Sequence, residues 1–319
     1  MAELMVRDGT WTFDHEAVRI VPGHERGVHQ LRRDLGEFTV PLIAMAGIAY
    51  EPARKGGRLR LRLREGADPL LQVTGGGLPD EANPYQVTVD AARADVAEYF
   101  VDAVRQALLL EQVPDGPADR YLLPGPAVPL SAAGVDGLAS FDGERVHLEW
   151  RWNTSETKRN QGPRDFALAD LEAVEWRAAA GLESGYLRFR THGATERIAP
   201  EHDPHAIELW GFKKESGTTA LLAAAVAARL PHPSAAGPGK ALTAGTPALP
   251  AFPARPAAAA PAPAAPPASG SAPADGHDDH DALLRRLREL GELRREGILT
   301  EEEFTATKVA VLRRFHTTG

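Results

Sequence analysis

A short segment in which arginine alternates with apolar residues occurs twice in the chain. The first copy is Gly-Arg-Leu-Arg-Leu-Arg at residues 57–62, and the second is Gly-Tyr-Leu-Arg-Phe-Arg at residues 185–190. Because successive side chains of a strand point to opposite faces, the pattern predicts strands with one core face and one polar face. In the first copy, Leu59, Leu61 and Leu63 are expected to face the core.

The segments around the two copies match in the same order. Phe-Asp-x-Glu-x-Val opens each half, at residues 13–18 and 141–146, and an apolar segment ending in Tyr50 or Trp176 follows. Another strand and an alanine-rich helix come after each arginine strand. Phe13 precedes Phe141 by 128 positions, and Tyr50 precedes Trp176 by 126. The sequence therefore predicts a folding unit that is written twice, here called the first and the second unit.

Hydrophobic alternation predicts seven or eight strands in the first unit. The segments concerned are residues 10–13, 17–21, 28–32, 38–40, 44–51, 58–64, 70–73 and 86–89. Gly47 is expected to mark a β-bulge. A helix with Asp90 as its N-cap is predicted to end near Leu110. Its apolar stripe is formed by Val96, Phe100, Ala103, Ala107 and Leu110.

The second unit is expected to repeat this plan. A polar hairpin loop is predicted at residues 153–164, and Ser216 is expected to cap a helix that continues to Leu230. Leu222, Val226 and Leu230 should lie on one face of that helix. Four tryptophans are predicted to be core or rim residues: Trp150, Trp152, Trp176 and Trp210.

Strands that precede one terminal helix favour an α+β fold, with an antiparallel sheet or small barrel covered by a helix. Segments rich in proline, glycine and alanine mark the predicted boundaries between domains. The predicted organisation is a first domain at 1–112, a connector at 113–134, a second domain at 135–232, a disordered Ala/Pro-rich linker at 233–276 and a helical hairpin at 277–319. The linker cannot bury enough apolar surface to offset the cost of ordering its chain, so it is not expected to form a core.

The hairpin at the end of the chain carries apolar side chains on both predicted helices. These residues are Leu283, Leu284, Leu287, Leu290, Leu293, Phe304, Val311, Leu312 and Phe315. So small a hairpin rarely folds alone, so its apolar stripe is expected to bind another copy of itself. We therefore expect a homo-oligomer that forms through this tail.

Composition excludes several classes of function. The chain has 319 residues, no cysteine and a net charge of −8. Disulfides, cysteine-bound metals and thiol catalysis are therefore excluded, and a nucleic-acid partner is not expected. The first residues do not resemble a signal peptide, and no apolar run is long enough to span a membrane. We predict a cytoplasmic protein.

Two resemblances add to this interpretation. The pattern Leu284-x-x-Leu287-x-x-Leu290, followed by Gly297-Ile298-Leu299-Thr300 and Glu303-Phe304, is similar to the short C-terminal domain called SHOCT. The two Phe-Asp-x-Glu-x-Val segments, the arginine strand and the segment at 209–214 resemble an actinobacterial family of tandem domains with a pleckstrin-homology-like (PH-like) fold. That resemblance implies two partly open β-barrels, each covered by its C-terminal helix, and it implies no catalytic residues.

One basic stripe is the strongest candidate for a binding site. It consists of Arg54, Lys55, Arg58, Arg60, Arg62 and Arg64. Guanidinium groups in a row suit phosphate or carboxylate groups, as on an anionic membrane surface or an acidic partner. The alternative is a solvated sheet face with acidic neighbours such as Glu51 or Glu65. The second unit keeps only Arg188 and Arg190 here, and Lys213-Lys214 is a weaker candidate.

No catalytic, metal or cofactor motif stands out. The acidic and histidine-containing segment at 277–281 is interpreted as the start of a helix and not as a metal site. The glycine-rich segments at 75–77 and 237–240 lack the residues of a phosphate loop. We therefore predict a non-enzymatic scaffold that binds a protein or peptide partner. Peripheral binding to anionic lipid or another polyanion through the arginine strand is the alternative.

Overall fold

The first unit contains seven strands in two antiparallel sheets. The computed structural model describes residues 1–180, 183–193, 198–209 and 215–235, without the side chains of residues 215 and 216. The four-stranded sheet pairs β1 (Ala2–Val6), β2 (Gly9–Phe13), β3 (Ala17–Pro22) and β4 (Phe38–Pro41) in that order. The three-stranded sheet pairs β5 (Met45–Ala53), β6 (Gly56–Leu63) and β7 (Gln86–Asp90). A helix, Ala94–Leu110, follows and packs against both sheets.

The second unit repeats this order of strands. Its four-stranded sheet pairs β8 (Leu130–Ala133), β9 (Gly137–Phe141), β10 (Arg145–Trp150) and β11 (Arg164–Ala167). Its three-stranded sheet pairs β12 (Leu171–Arg177), β13 (Gly185–Thr191) and β14 (Ala206–Leu209). A helix at Glu215–Ala227 packs against both sheets. β8 begins within the segment that was predicted as the connector.

The structure is thus a mixed α+β fold, as predicted. In the described ranges, the sheets of each unit do not close into a barrel. Trp210, Lys213-Lys214, most of the Ala/Pro-rich linker and the whole helical hairpin at 277–319 lie outside the described residues. Among the helices that are described, none is long and apolar enough to cross a membrane.

The Phe-Asp-x-Glu-x-Val segments form the turns between the second and third strands of each unit. Asp14 accepts hydrogen bonds from the backbone N–H groups of Glu16 (3.0 Å) and Ala17 (2.8 Å). Asp142 accepts the same two bonds, from Glu144 and Arg145. These bonds stabilise the charged carboxylate and lower the pKa of both aspartates. The repeated motif is therefore a turn signature.

Alternation in the arginine strand is confirmed. Leu59, Leu61 and Leu63 of β6 are buried. The register of β5 against β6 is irregular between Met45 and Gly47, which confirms the predicted bulge. Gly57 is required for packing, because a Cβ atom there would lie 2.4 Å from the ring of Tyr50.

Two segments predicted as strands are short helices. Residues 28–32 overlap α1 (Gln30–Leu35), which begins where His29 accepts a hydrogen bond from the backbone of Leu31. Residues 70–73 belong to α2 (Pro69–Thr74). Asp68 caps α2 by accepting the N–H groups of Leu70 and Leu71, and Gly75 ends it in the left-handed region, at φ +52°. The prediction of strands was wrong because it counted apolar residues and ignored these caps.

The helix of the first unit, α3 (Ala94–Leu110), ends as predicted but begins later. A 3₁₀ turn at Ala91–Arg93 separates it from Asp90, whose side chain caps nothing. The predicted apolar stripe is only partly correct, because Leu110 is 74% exposed. The buried face consists of Ala97, Phe100, Val101, Val104 and Ala107.

The predicted loop at 153–164 contains a further helix, α4 (Glu156–Gln161), which Ser155 caps through the N–H of Lys158. Among the tryptophans, Trp176 is buried and its indole donates to Thr219 (3.0 Å). Trp150 is half-buried, and its indole donates to the carbonyl of Gly162 (2.7 Å). Trp152 is 78% exposed, so its predicted core or rim position is wrong.

The helix of the second unit, α5 (Glu215–Ala227), joins the two units. Leu222 and Val226 are buried as predicted, but every other residue from Ala220 to Ala227 is buried too. The helix begins at Glu215, before its predicted cap Ser216, and ends at Ala227, before Leu230, to which it was predicted to continue. One side of α5 packs on its own sheets, and another packs on α1 and α2 of the first unit. Leu31, Leu70 and Ala82 of the first unit accordingly belong to the core of the second. Because alanine side chains are small, neighbouring elements can pack closely against α5 on several sides.

Candidate binding site

The basic stripe is divided by contacts within the chain. Arg58 and Arg60 of β6 both point to Asp80: Arg58 forms an ion pair with its carboxylate, and Arg60 lies 3.7 Å from it. The hydrogen bond from Arg58 lowers the pKa of Asp80. Asp80 follows β6 by almost twenty residues and is not one of the acidic neighbours expected from the sequence. Two of the predicted anion-binding residues are therefore partly neutralised.

Arg64 binds backbone carbonyl groups of the chain itself and is therefore not available for a ligand. Its guanidinium donates hydrogen bonds to the carbonyl groups of Ile43 (3.0 Å), Gly116 (2.8 Å) and Pro117 (3.2 Å). The N–H of Ala118 donates to the carbonyl of Glu65 (2.7 Å) and fixes the same segment. Arg64 thus fastens the connector to the end of β6 and to the turn before β5.

The remaining basic residues do not form one cluster. Arg54 and Lys55 are exposed at the turn between β5 and β6, and Arg62 is exposed near the other end of β6. At a rise of about 3.3 Å per residue, the seven positions between Lys55 and Arg62 correspond to roughly 23 Å. The predicted stripe is thus two separate basic regions.

In the second unit, the equivalent arginines, Arg188 and Arg190, each form ion pairs with two acidic side chains. Arg188 lies 2.7 Å from Asp203 and 3.8 Å from Glu175. Arg190 lies 3.3 Å from Glu175 and 3.5 Å from Glu172. Opposite charges across neighbouring strands stabilise a sheet, so this face is structural.

Each unit contains a buried cation paired with an aspartate, and neither pair was predicted from the sequence. Lys158 is completely buried, and its ammonium contacts the carboxylate of Asp136 and the carbonyl of Ala206 (2.9 Å). In the first unit, Arg32 is 5% exposed and lies 3.9 Å from Asp8. Burial lowers the pKa of Arg32. Asp8 and Asp136 are 128 positions apart, which is the repeat distance and the signal that could have identified them.

Buried polar groups also meet where the two units join. Asp68 accepts a hydrogen bond from the hydroxyl of Tyr85 (2.8 Å), and burial raises the pKa of both groups. Burial raises the pKa of Tyr121 to about 12. His232, just beyond α5, packs on the ring of Tyr121 at 4.6 Å and contacts the carbonyl of Gly66 (2.9 Å). These contacts bind the end of the second unit to the first.

A pocket of about 580 Å³ opens beside the end of α5. This second-unit pocket lies between the β9–β10 turn, the turn before β12 and the end of β13. Its polar lining consists of Glu144, Arg145, Glu172, His192 and Arg229. Leu168, Leu171, Leu230 and Pro231 supply apolar lining. Its size lies within the range of about 300–1,000 Å³ that is usual for ligand sites.

Three replacements between the units accompany the pocket. Strand register matches Pro41 with Ala167, since these residues pair with Ala17 and Arg145 respectively. Ala169 follows Leu168 as Ile43 follows Leu42, at the same repeat distance. His192 matches Arg64, because the two N–H groups bond to the equivalent carbonyls of Asp170 and Ala44. Smaller side chains thus line the second unit at the place where Arg64 and the connector cover the first.

The described residues contain no group of three or more histidine, aspartate or glutamate side chains that could hold a metal ion. The segment at 277–281 lies outside them.

Two similar α+β units, each with two antiparallel sheets and a terminal helix, define a tandem-domain protein. A domain of unknown function, DUF4429, matches the chain twice, at residues 11–105 and 139–227. Together the matches cover more than half of the chain, so the protein belongs to the DUF4429 family. The match to two copies confirms the predicted tandem organisation. A comparison with curated proteins gave no significant match.

Proposed function

We propose that the protein is a non-enzymatic binding platform, in which the paired units hold a protein or peptide partner. The observation that carries this proposal is the burial of α5 between its own sheets and α1 and α2 of the first unit. Such packing gives the two units a fixed geometry, so that a partner could contact both without an ordering cost. The second-unit pocket supplies a concave site on this platform.

The proposal includes a PH-like fold for each unit. Four strands, three strands and a closing helix in this order support it, as does the packing of each helix on both sheets. Fold alone does not define function, so the support for a binding role comes from the packing of the two units and from the pocket. We place the protein in the cytoplasm as part of the same proposal.

Multimerisation through a SHOCT-type tail is the second part of the proposal, based on the leucine pattern at residues 283–293 and the apolar residues at 304–315. Several platforms held together would bind a multivalent partner more tightly without any new contact. The expected product is a homo-oligomer with paired DUF4429 units as its binding heads.

Light scattering and partner capture test the proposal together. The full chain is expected to be an oligomer, and a chain that ends at residue 235 a monomer. After crosslinking in the native host, the full chain should retain a specific protein partner that the shortened chain retains more weakly. A monomeric full chain would refute the role of the tail. Failure to enrich any partner over an unrelated bait, or turnover of a small molecule, would refute the platform.

Binding to a polyanion is the alternative, and the exposure of Arg54, Lys55 and Arg62 favours it. Each basic residue near an anionic surface contributes about 1 kcal/mol. Sedimentation with phosphatidylserine vesicles at low salt would measure this binding. The substitution pair Arg54→Glu/Lys55→Glu should abolish it. If the unaltered chain stays in the supernatant, the alternative is wrong.

A further inference from the structure

We propose that the second-unit pocket binds an extended, acidic, proline-containing peptide segment of a partner protein. This inference rests on the platform function proposed above and names its site and its class of ligand. At the equivalent place in the first unit, the chain binds a segment of itself, the connector.

The first unit shows how such a segment is held. Gly116 and Pro117 of the connector accept hydrogen bonds from Arg64 through their carbonyl groups, at 2.8 and 3.2 Å. The N–H of Ala118 donates to the carbonyl of Glu65 at 2.7 Å. All of these bonds involve the connector's backbone, so the site recognises an extended conformation more than particular side chains. Proline favours that conformation, because its ring fixes φ.

The second unit keeps the backbone hydrogen bonds that surround this site in the first unit. The N–H of Leu168 bonds to the carbonyl of Glu144 at 2.7 Å, as the N–H of Leu42 bonds to that of Glu16 at 2.8 Å. The N–H of His192 bonds to the carbonyl of Asp170 at 3.1 Å, which matches the bond from Arg64 to Ala44. His192 therefore stands at the position from which Arg64 binds the connector, and its ring can also donate a hydrogen bond.

The smaller side chains leave space above these hydrogen bonds. Ala167 and Ala169 stand where the first unit has Pro41 and Ile43. The pocket of about 580 Å³ lies over them, and Pro231 forms part of its wall. A partner segment could thus lie where the connector lies in the first unit.

Charge indicates an acidic segment. Arg145 is exposed in the pocket and replaces Ala17 of the first unit, and Arg229 also lines the pocket. Arg229 uses one guanidinium nitrogen to bond the carbonyl of Ala225 (2.8 Å), which leaves its other donors for a ligand. The lining also holds two carboxylates, Glu144 and Glu172. Glu172 lies 3.5 Å from Arg190, which is outside the lining, so the two arginines of the pocket exceed the negative charge that remains unpaired there. The connector itself carries Asp115 and Asp119 beside Gly-Pro-Ala.

The connector sequence provides the probe. A fluorescent peptide with the sequence of residues 113–120, Val-Pro-Asp-Gly-Pro-Ala-Asp-Arg, is titrated with the full chain at low salt, and fluorescence anisotropy is measured. Saturable binding is expected. Ala169→Trp should weaken it at least tenfold, because the indole would fill the pocket from an exposed position. Ile43→Trp, the matched change in the first unit, should alter the affinity less than twofold.

Charge is tested separately. Arg145→Glu should weaken binding at least fivefold, whereas Arg33→Glu, at an exposed arginine of α1, should leave it unchanged. A peptide with lysine at both aspartate positions should bind at least tenfold more weakly. Thermal unfolding of each variant verifies that it is folded.

Three results would overturn the inference: no saturable binding, equal binding by the Ala169→Trp variant, or equal binding of the lysine peptide. If the native-host partner is still captured by the Ala169→Trp variant, the pocket is not its site but the platform function stands. If no partner is captured by any version of the chain, the platform itself is refuted. Loss of self-association in the Ala169→Trp variant would instead identify the pocket as a contact between copies.

Discussion

Asp136 and Lys158 form a buried ion pair at the position that Asp8 and Arg32 occupy in the first unit. In both units the aspartate also accepts a backbone N–H from the last strand: Glu208 donates to Asp136 at 2.9 Å, and Thr88 donates to Asp8 at 3.0 Å. One carboxylate therefore connects the first hairpin, the short helix and the last strand. This arrangement fastens the three-stranded sheet to the four-stranded sheet in each unit.

Removal of the cation should destabilise the second unit strongly. Lys158→Met would leave the carboxylate of Asp136 buried without its partner and the carbonyl of Ala206 without its donor. Breaking one side of a buried ion pair costs about 3–5 kcal/mol. We expect a loss of that size in the free energy of unfolding, measured by urea denaturation.

Two comparisons make this test specific. The double change Asp136→Asn/Lys158→Met should cost less than Lys158→Met alone, because no unpaired charge remains buried. Arg33→Met, at the exposed neighbour of Arg32, should change stability by less than about 0.5 kcal/mol. A loss at Lys158 no larger than that control would show that the ion pair contributes little.

Repetition made much of the fold predictable. The alternation at Leu59, Leu61 and Leu63 identified β6, and the repeat distance identified its counterpart β13. The helix α2 was missed because the four residues 70–73 are too few to show a helical period. The sequence nevertheless contains the signals for both ends of α2, with Asp68 and Pro69 at its start and Gly75 at its end.

Partners distant in sequence were not predictable in the same way. Nothing near Arg58 indicates that Asp80 neutralises it, because the loop from α2 to β7 determines that contact. The pocket, by contrast, leaves a trace in the sequence. A comparison of the two copies shows Ile43 replaced by Ala169 and Arg64 by His192, although their shared location appears only in the folded chain.

Arg64 and Arg62 should differ sharply although both are arginines of one strand region. Arg64→Ala removes three hydrogen bonds to backbone carbonyls, and bonds from a charged donor contribute about 1.5–3 kcal/mol when buried. Because Arg64 is partly exposed, we expect a total loss near 1–2 kcal/mol. Arg62→Ala should change stability by less than about 0.5 kcal/mol.

Limited proteolysis checks the structural cause of this difference. Release of Gly116 and Pro117 should make the connector easier to cut in the Arg64→Ala variant, and not in the Arg62→Ala variant. Equal cutting rates in the two variants would contradict the assignment of Arg64 as the residue that fastens the connector.

Asp68 should be essential for the contact between α2 and α5. Asp68→Ala removes the N-cap of α2, which costs about 0.5–2 kcal/mol. It also leaves the buried hydroxyl of Tyr85 without its acceptor, which costs about 1–3 kcal/mol more. Asp68→Asn keeps a side-chain oxygen and should cost clearly less. Urea denaturation followed by tryptophan fluorescence, to which Trp176 beside Thr219 of α5 contributes, would report the loss.

Glu208 gives the protein a specific pH dependence. Burial is the main cause that raises its pKa above the ordinary value of 4.5, and the charge of Asp136 adds to the effect. Between the ordinary and the raised pKa the folded chain binds more protons at this group than the unfolded chain. The free energy of unfolding contributed by this group therefore falls as pH rises through that interval, and the loss is complete at higher pH.

Replacement of Glu208 by glutamine should consequently stabilise the protein at neutral pH. Glutamine keeps an oxygen that can accept the hydrogen bond from Ser184 (2.7 Å in the native chain) but carries no charge. The stabilisation should shrink toward zero as pH is lowered below 4.5, where the native glutamate is protonated in both states. Urea denaturation at several pH values measures it, with the exposed Glu149→Gln as control. A stabilisation that is the same at pH 4 and pH 7 would show that charge at Glu208 is not its cause.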